Sequence, residues 1–302
     1  MRKKSILFVC SGNVYRSRSA EHLLKKYLAR QGIKGWRVDS AGITAKTEDI
    51  DPATLAALKK LGVARVTDSQ KKLSARILDR YDVVVAMAEN HVRFIRENFD
   101  RRVVLFNELA VGRRTSIWDI QDKVSNYKTK RKATVKEITA TVNNINSKIP
   151  QLFQNAAERF YLFSDFVEGR KKHRNGYPFI KLAESPAALA FMSVSIPNKE
   201  DGHILVIPKK RHVDFGDIPT ATLREVFAMI QKIGRALSRN HGGYNVFLNN
   251  GTDAGQYIFH SHFHIIPRTY RDGIRIELWK KKNISVKDFM KLNGRLKKQI
   301  NS

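Results

Sequence analysis

The spacing of apolar residues changes once along these 302 residues, close to position 150, and that change limits the folds open to the chain. In the first half, short β-forming runs alternate with stretches at helical spacing, the pattern of a parallel sheet flanked by helices. Strands are predicted at Ile6 to Cys10, Trp36 to Ser40, Asp82 to Met87 and Val103 to Leu109. Helices are predicted at about Ser19 to Arg30, Pro52 to Leu61, Glu89 to Asn98 and Lys130 to Ile145. In the second half, strands at Phe179 to Ala183, Ala188 to Val194, His203 to Pro208, Tyr244 to Asn249 and Phe259 to Pro267 surround one long helix, about Ala221 to Asn240. The expectation is two domains. Residues 1–149 form an α/β unit with a four-stranded parallel sheet, and residues 150–302 an α+β unit with a mainly antiparallel sheet and a C-terminal helix. Ile149-Pro150 and Gln151 to Asn155 read as a short connection between them.

With 42% hydrophobic and 28% charged residues the chain can bury ordinary cores and does not read as disordered. No apolar run approaches the roughly 20 residues of a membrane span, and Cys10 arrives before any signal-peptide core, so a cytoplasmic address is expected. The formal charge of +28 is shared: residues 1–150 hold 31 Lys/Arg against 15 Asp/Glu, residues 151–302 hold 25 against 13, and Lys128 to Lys132 and Lys280 to Lys282 are local concentrations. Either the surface is basic simply for solubility, or it draws in polyanions, phosphorylated substrates or nucleic acid among them. The single cysteine excludes an internal disulfide and any cysteine-built zinc site, leaving Cys10 a chemical role or a buried structural one.

Cys10-Ser-Gly-Asn-Val-Tyr-Arg-Ser17 lies where a strand gives way to a helix. A helix N-terminus and an arginine together favour a thiolate. Five residues between Cys10 and Arg16 let the loop of Ser11, Gly12, Asn13, Val14 and Tyr15 curl its N–H groups around an anion, with Arg16 as a bidentate fork. Gly12 permits the curl, Asn13 can pin it, and the Ser17 hydroxyl can bond the thiolate. These residues resemble the signature of the low-molecular-weight protein-tyrosine phosphatase family, over roughly residues 3 to 147. The resemblance implies a phosphocysteine mechanism and an aspartate as general acid, usually followed by proline. In Trp118-Asp-Ile-Gln-Asp-Lys123 the spacing to Glu137-Ile138 favours Asp122, with Asp119 in reserve, and Lys123 replaces the proline. It also implies a phosphotyrosine protein as substrate, for which Tyr15 and Trp118 are the evident flanking aromatics, with a small phosphorylated metabolite as the alternative. Arsenate reductases share the fold and give an alternative activity for this half; no second thiol exists here for an intramolecular relay, so it would need an external thiol.

His260-Ser-His-Phe-His-Ile-Ile-Pro-Arg268 places His260, His262 and His264 at period two, one face of a strand. Such a trio suits either a zinc ion or phosphorus chemistry with a nucleophilic imidazole. Together with Asn249-Asn-Gly-Thr-Asp-Ala-Gly-Gln256 and Gly202 to Lys210, the motif resembles the histidine-triad (HIT) family from about Phe160 to Trp279. The resemblance implies that His262 attacks the α-phosphate of a nucleotide conjugate, that His260 and His264 orient and stabilise, and that Asn249, Gly255 and Gln256 position phosphate and leaving group. It implies no cofactor and a homodimer through this domain. Many members begin a structural zinc site with Cys-x-x-Cys, where Tyr161-Leu-Phe-Ser164 stands here, so no metal is expected. The acidic ribose-binding residue some members carry is absent from Ala190-Phe-Met-Ser193. The rival reading is a basic nucleic-acid-binding protein, whose triad site would act on nucleic-acid adenylates.

Overall fold

A computed structural model describes residues 3–46, 49–66, 70–197, 202–276 and 284–301. Trp279 and Lys280 to Lys282 lie outside them. Strand β1 (Lys4–Cys10) leads through the Cys10 loop into α1 (Arg16–Arg30), followed by β2 (Trp36–Gly42), α2 (Pro52–Lys60) and α3 (Ala75–Leu78). Then come β3 (Val83–Ala86), α4 (Glu89–Phe99), β4 (Val104–Leu105), α5 (Phe106–Val111) and α6 (Ile120–Lys123). The four strands form a parallel sheet in the order β2-β1-β3-β4, with β1 in the interior and its residues Ile6 to Val9 wholly buried. Buried on both faces, such a strand reads as the unbroken apolar run seen in the sequence.

Helix α7 (Arg131–Val167) joins this layer to the next. The connection expected at 149–155 is instead its interior, and Pro150 sits within it. A mid-helix proline removes a hydrogen bond and strains the turn before it. Packing outweighs that cost: Ile138, Val142, Ile145, Ile149, Leu152 and Ala156 recur every three or four residues and are all buried in the same core as β1. A second difference is at Phe106 to Leu109, expected as strand and found as helix. Glu108 Oε2 accepts from the Leu105 N–H at its start, and Gly112 at φ 70° closes its end.

The C-terminal part begins with a small hairpin, β5 (His173–Arg174) and β6 (Tyr177–Pro178). It continues with β7 (Lys181–Glu184), β8 (Ala188–Met192), β9 (Ile204–Pro208), α8 (Thr220–Leu237), β10 (Gly243–Leu248), β11 (Phe263–Arg268) and the exposed α9 (Val286–Ile300). Strands β7 to β11 make an antiparallel sheet in the order β10-β11-β9-β8-β7. The fold is therefore α/β with a four-stranded parallel sheet, then α+β with an antiparallel one. Among the described residues no helix is long and apolar enough to cross a membrane.

Buried polar contacts lock the two layers together. Tyr161 of α7 accepts from the Ser5 N–H (3.0 Å) and donates to Asp82 Oδ2 (3.0 Å), while Arg211 reaches Asp82 Oδ1 (3.2 Å). Phe259, next to the triad, packs into the core of the parallel sheet. Removing only the hydroxyl in Tyr161→Phe strands the buried Ser5 N–H, while Asp82 Oδ2 keeps the Ser5 hydroxyl as donor (2.8 Å), so urea unfolding should show a loss of about 1–3 kcal/mol. A change within about 0.5 kcal/mol would mean that water replaces these bonds.

Candidate functional site

Two clusters of chemistry-bearing side chains stand out, and the first is the Cys10 loop. Cys10 Sγ lies 2.9 Å from Ser17 Oγ, and Asn13 Nδ2 donates to that same oxygen (3.1 Å) and to Ser40 Oγ (2.7 Å). When Cys10 is a thiolate it has no proton to give, and the Ser17 hydroxyl is then the donor to the sulfur. Asn13 takes the left-handed conformation, φ 58°, and its Oδ1 accepts from the Lys71 N–H (3.0 Å). The bend therefore sits at Asn13 and not at Gly12. The glycine that the loop requires comes from β2: a Cβ on Gly42 would lie 2.5 Å from the Ser11 carbonyl oxygen and 2.8 Å from the Asn13 nitrogen.

Arg16, only 2% exposed, donates to the Ile117 carbonyl (3.0 Å) and Ser11 Oγ (3.2 Å) and forms an ion pair with Asp119. Asp122 is exposed, and its Oδ2 accepts from the Asp119 N–H (3.1 Å), so it caps α6 from outside. The structure thus brings the reserve aspartate, not the favoured one, to the arginine. Tyr15 is 6% exposed, its ring in the core, and burial pushes its phenol well above the usual range. Trp118, at 54% exposed, is left as the flanking aromatic. His91 was not anticipated. Its Nδ1 accepts from the Ala88 N–H (3.1 Å), so its Nε2 carries the proton and donates to Ser11 Oγ (3.0 Å). Burial, then the Arg16 charge, pushes His91 down to about 3.

The second cluster is the triad. Only His264 lies on β11, whereas the strand was expected to begin at Phe259. The Phe259 N–H is taken by the Arg159 carbonyl (2.6 Å) and the Ser261 N–H by the His212 carbonyl (2.6 Å), which withholds this segment from the sheet. The imidazoles converge all the same. His262 and His264 have ring centres 4.8 Å apart, and the Phe163 ring of α7 lies 5.9 Å from His260 and 5.4 Å from His262.

Each ring is tied by one nitrogen. His262 Nδ1 donates to the His260 carbonyl (2.7 Å), which makes Nε2 its free lone pair. His260 Nε2 donates to the Pro208 carbonyl (2.7 Å). His203 Nδ1 donates to the Ser195 carbonyl (2.7 Å), so its Nε2 accepts from His264 Nδ1 (2.9 Å). Burial pushes His260 and His264 down to about 3 and lowers His262 and His203, so all four are neutral at pH 7. Among the described residues no group of three or more His, Cys, Asp and Glu is arranged to hold a metal ion.

Gln256 spends its amide on the loop itself, accepting from the Gly251 N–H (2.8 Å) and donating to the Val213 carbonyl (2.9 Å). Gly255, at φ 84°, faces the Asn249 amide. The N-terminal part also grips this loop: Arg102 pairs with Asp214 (3.0 Å), which accepts from Asn250 (3.1 Å), and Arg114 approaches Asp253 (3.6 Å).

Residues 5–162 match the family model described as low molecular weight phosphotyrosine protein phosphatase, and residues 178–270 match that of the HIT domain. An uncharacterized HIT-like protein of Methanocaldococcus jannaschii is 37% identical over 109 residues, 36% of this chain and 83% of that protein. The chain belongs to the low-molecular-weight phosphatase family and, in its C-terminal part, to the HIT family. Adenosine 5'-monophosphoramidase HNT1 of Saccharomyces cerevisiae is 34% identical over 123 residues, 41% of this chain and 73% of that protein. A solved low molecular weight protein tyrosine phosphatase from Bacillus subtilis has 25% identity and a TM-score of 0.44, covering 51% of this chain and 97% of its own. Membership in the two families indicates a phosphatase and a nucleotide hydrolase, with phosphorylated substrates and nucleotides as their ligands.

His91 and His260 are wholly buried and sit far below the unfolded value of about 6.5. The unfolded chain therefore binds the extra protons, and the stability these rings give above pH 6.5 is lost as pH falls towards 3. Between pH 7.5 and 5.0 each should cost about 2 kcal/mol in urea unfolding. A His91→Gln variant should lose about 2 kcal/mol less than wild type over that interval, and an equal loss would show that His91 titrates normally.

Proposed function

We propose that this chain carries two independent phosphoryl-group reactions: hydrolysis of phosphomonoesters at Cys10 and hydrolysis of nucleotide conjugates at His262. One observation supports both. Each nucleophile is held by a single hydrogen bond that leaves its attacking lone pair free, Cys10 Sγ by Ser17 and His262 by its Nδ1–H on the His260 carbonyl.

At the first site the Cys10 thiolate attacks phosphorus while the ester P–O bond breaks, and Asp119 gives the leaving oxygen its proton. Asp119 then takes a proton from water as that water displaces the sulfur and releases inorganic phosphate. Arg16 lies between Asp119 and Ser11 and supplies the bidentate fork for two phosphoryl oxygens. Asp119 is chosen over Asp122 because of that contact. Ser11 Oγ accepts from both His91 and Arg16, so its own proton is free for the substrate. With Tyr15 buried, a small phosphorylated metabolite suits this site at least as well as phosphotyrosine.

At the second site His262 Nε2 attacks the α-phosphorus, as in hydrolysis of the phosphoramidate named for the yeast relative. The P–N bond of the N-protonated substrate breaks and the amine leaves. Water then cleaves the nucleotidyl-histidine and releases the nucleotide. The charge on the nucleotidylated ring is met by the His260 carbonyl on its Nδ1–H.

Cys10→Ser should abolish turnover of an aryl phosphate and leave nucleoside phosphoramidate hydrolysis intact, whereas His262→Ala should do the reverse. Asp119→Ala should slow esters with poor leaving groups about 10²-fold or more and good ones far less. That pattern in Asp122→Ala instead would return the acid to Asp122. Quenching without acid should trap labelled nucleotide on wild type and none on His262→Ala, and retention of label by the variant would end the histidine mechanism.

A further inference from the structure

The imidazoles of the triad bring no charge to the phosphate they must hold. A nucleotide phosphate carries at least one negative charge, and taking it from water into a buried pocket is costly unless a cation or several donors meet it. The β5–β6 hairpin carries such a cation. The Phe179 N–H donates to the Lys172 carbonyl (2.8 Å), closing the hairpin, and the Phe179 ring stacks on Phe166 of α7 at 4.4 Å.

Arg174, on β5, donates through Nη2 to Glu158 Oε1 of α7 (2.7 Å). Glu158 lies five residues before Phe163, the residue whose ring touches His260 and His262. The guanidinium is therefore fixed to the helix that floors the triad. Its Nε–H is buried and has no acceptor among the described residues. A permanently charged fork, anchored at one end with a buried donor to spare, suits a phosphoryl oxygen. The position of Arg174 is also close enough for its charge to act on His262, helping to keep that ring unprotonated.

We propose that Arg174 binds an anionic oxygen of the phosphoryl group that His262 attacks, and that Glu158 is its positioning residue. This assignment rests on the nucleotide reading of the triad site. It makes the hairpin part of the substrate pocket. As the bond to His262 forms, the charge gathered on the phosphoryl oxygens is met by a fixed cation, while His260 and His264 contribute lone pairs and shape.

The test is calorimetric titration of the full chain with adenosine 5'-monophosphate and with adenosine, which lacks the phosphate. Wild type should prefer the nucleotide. Arg174→Ala should weaken the nucleotide about 10- to 100-fold and leave adenosine unchanged, Arg174→Lys should recover part of the loss, and Glu158→Gln should fall between. With a phosphoramidate substrate, the acid limb of the kcat/KM profile should move to higher pH in Arg174→Ala, because a cation that opposed protonation of His262 has gone. An Arg174→Ala variant that keeps the preference, or loses both ligands equally, overturns the assignment alone. Wild type that binds neither ligand overturns the nucleotide reading and the assignment with it.

Discussion

The packing of α7 governs the rest of the molecule. Its Ile138 to Ala156 stripe closes the core under the parallel sheet, and Phe160 and Tyr161 continue that core. One turn later Phe163 becomes the floor of the triad. A helix that met only one layer would end or bend at Pro150. Here the apolar faces on both sides keep it helical through the proline, at the expense of one backbone hydrogen bond.

The two sites solve opposite electrostatic problems. Around Cys10 the protein assembles charge: Arg16 is nearly buried and is met by Asp119, so a guanidinium is held beside the thiol loop. Around His262 it removes charge, because deep burial leaves every imidazole neutral and each proton pinned to a carbonyl or a neighbouring ring. A neutral nitrogen attacks phosphorus where an imidazolium cannot. On the proposed reading, serving as a nucleophile and carrying charge are thus separated in the second site and combined in the first.

The two candidate motifs were legible in the sequence because each is one unbroken run. Cys10, Asn13, Arg16 and Ser17 share a loop between strand and helix, and the triad occupies five consecutive residues. Gly42, His91 and His203 were not legible, since only strand order and register bring them to those motifs, and a lone glycine or histidine carries no sign of its neighbour. Asp119 against Asp122 turned on a single turn of α6, in which one carboxylate caps the other's backbone. The continuity of α7 did leave a signal. Apolar residues from Ile138 to Ala156 keep helical spacing across Pro150, and that spacing, not the proline, decides the segment. The triad segment misled in another way: period two implied a strand from Phe259, but two of its N–H groups are claimed by Arg159 and His212.

The shared helix also bears on how such a chain is inherited. Exchange of modules between genes works where a breakpoint falls in a segment that neither neighbour packs against. Between residues 138 and 167 there is no such segment, because each turn of α7 there is packed into one core or the other. A crossover placed there would strip the parallel sheet of a wall or the triad of its floor. The halves can therefore vary by substitution, but across this stretch they descend together.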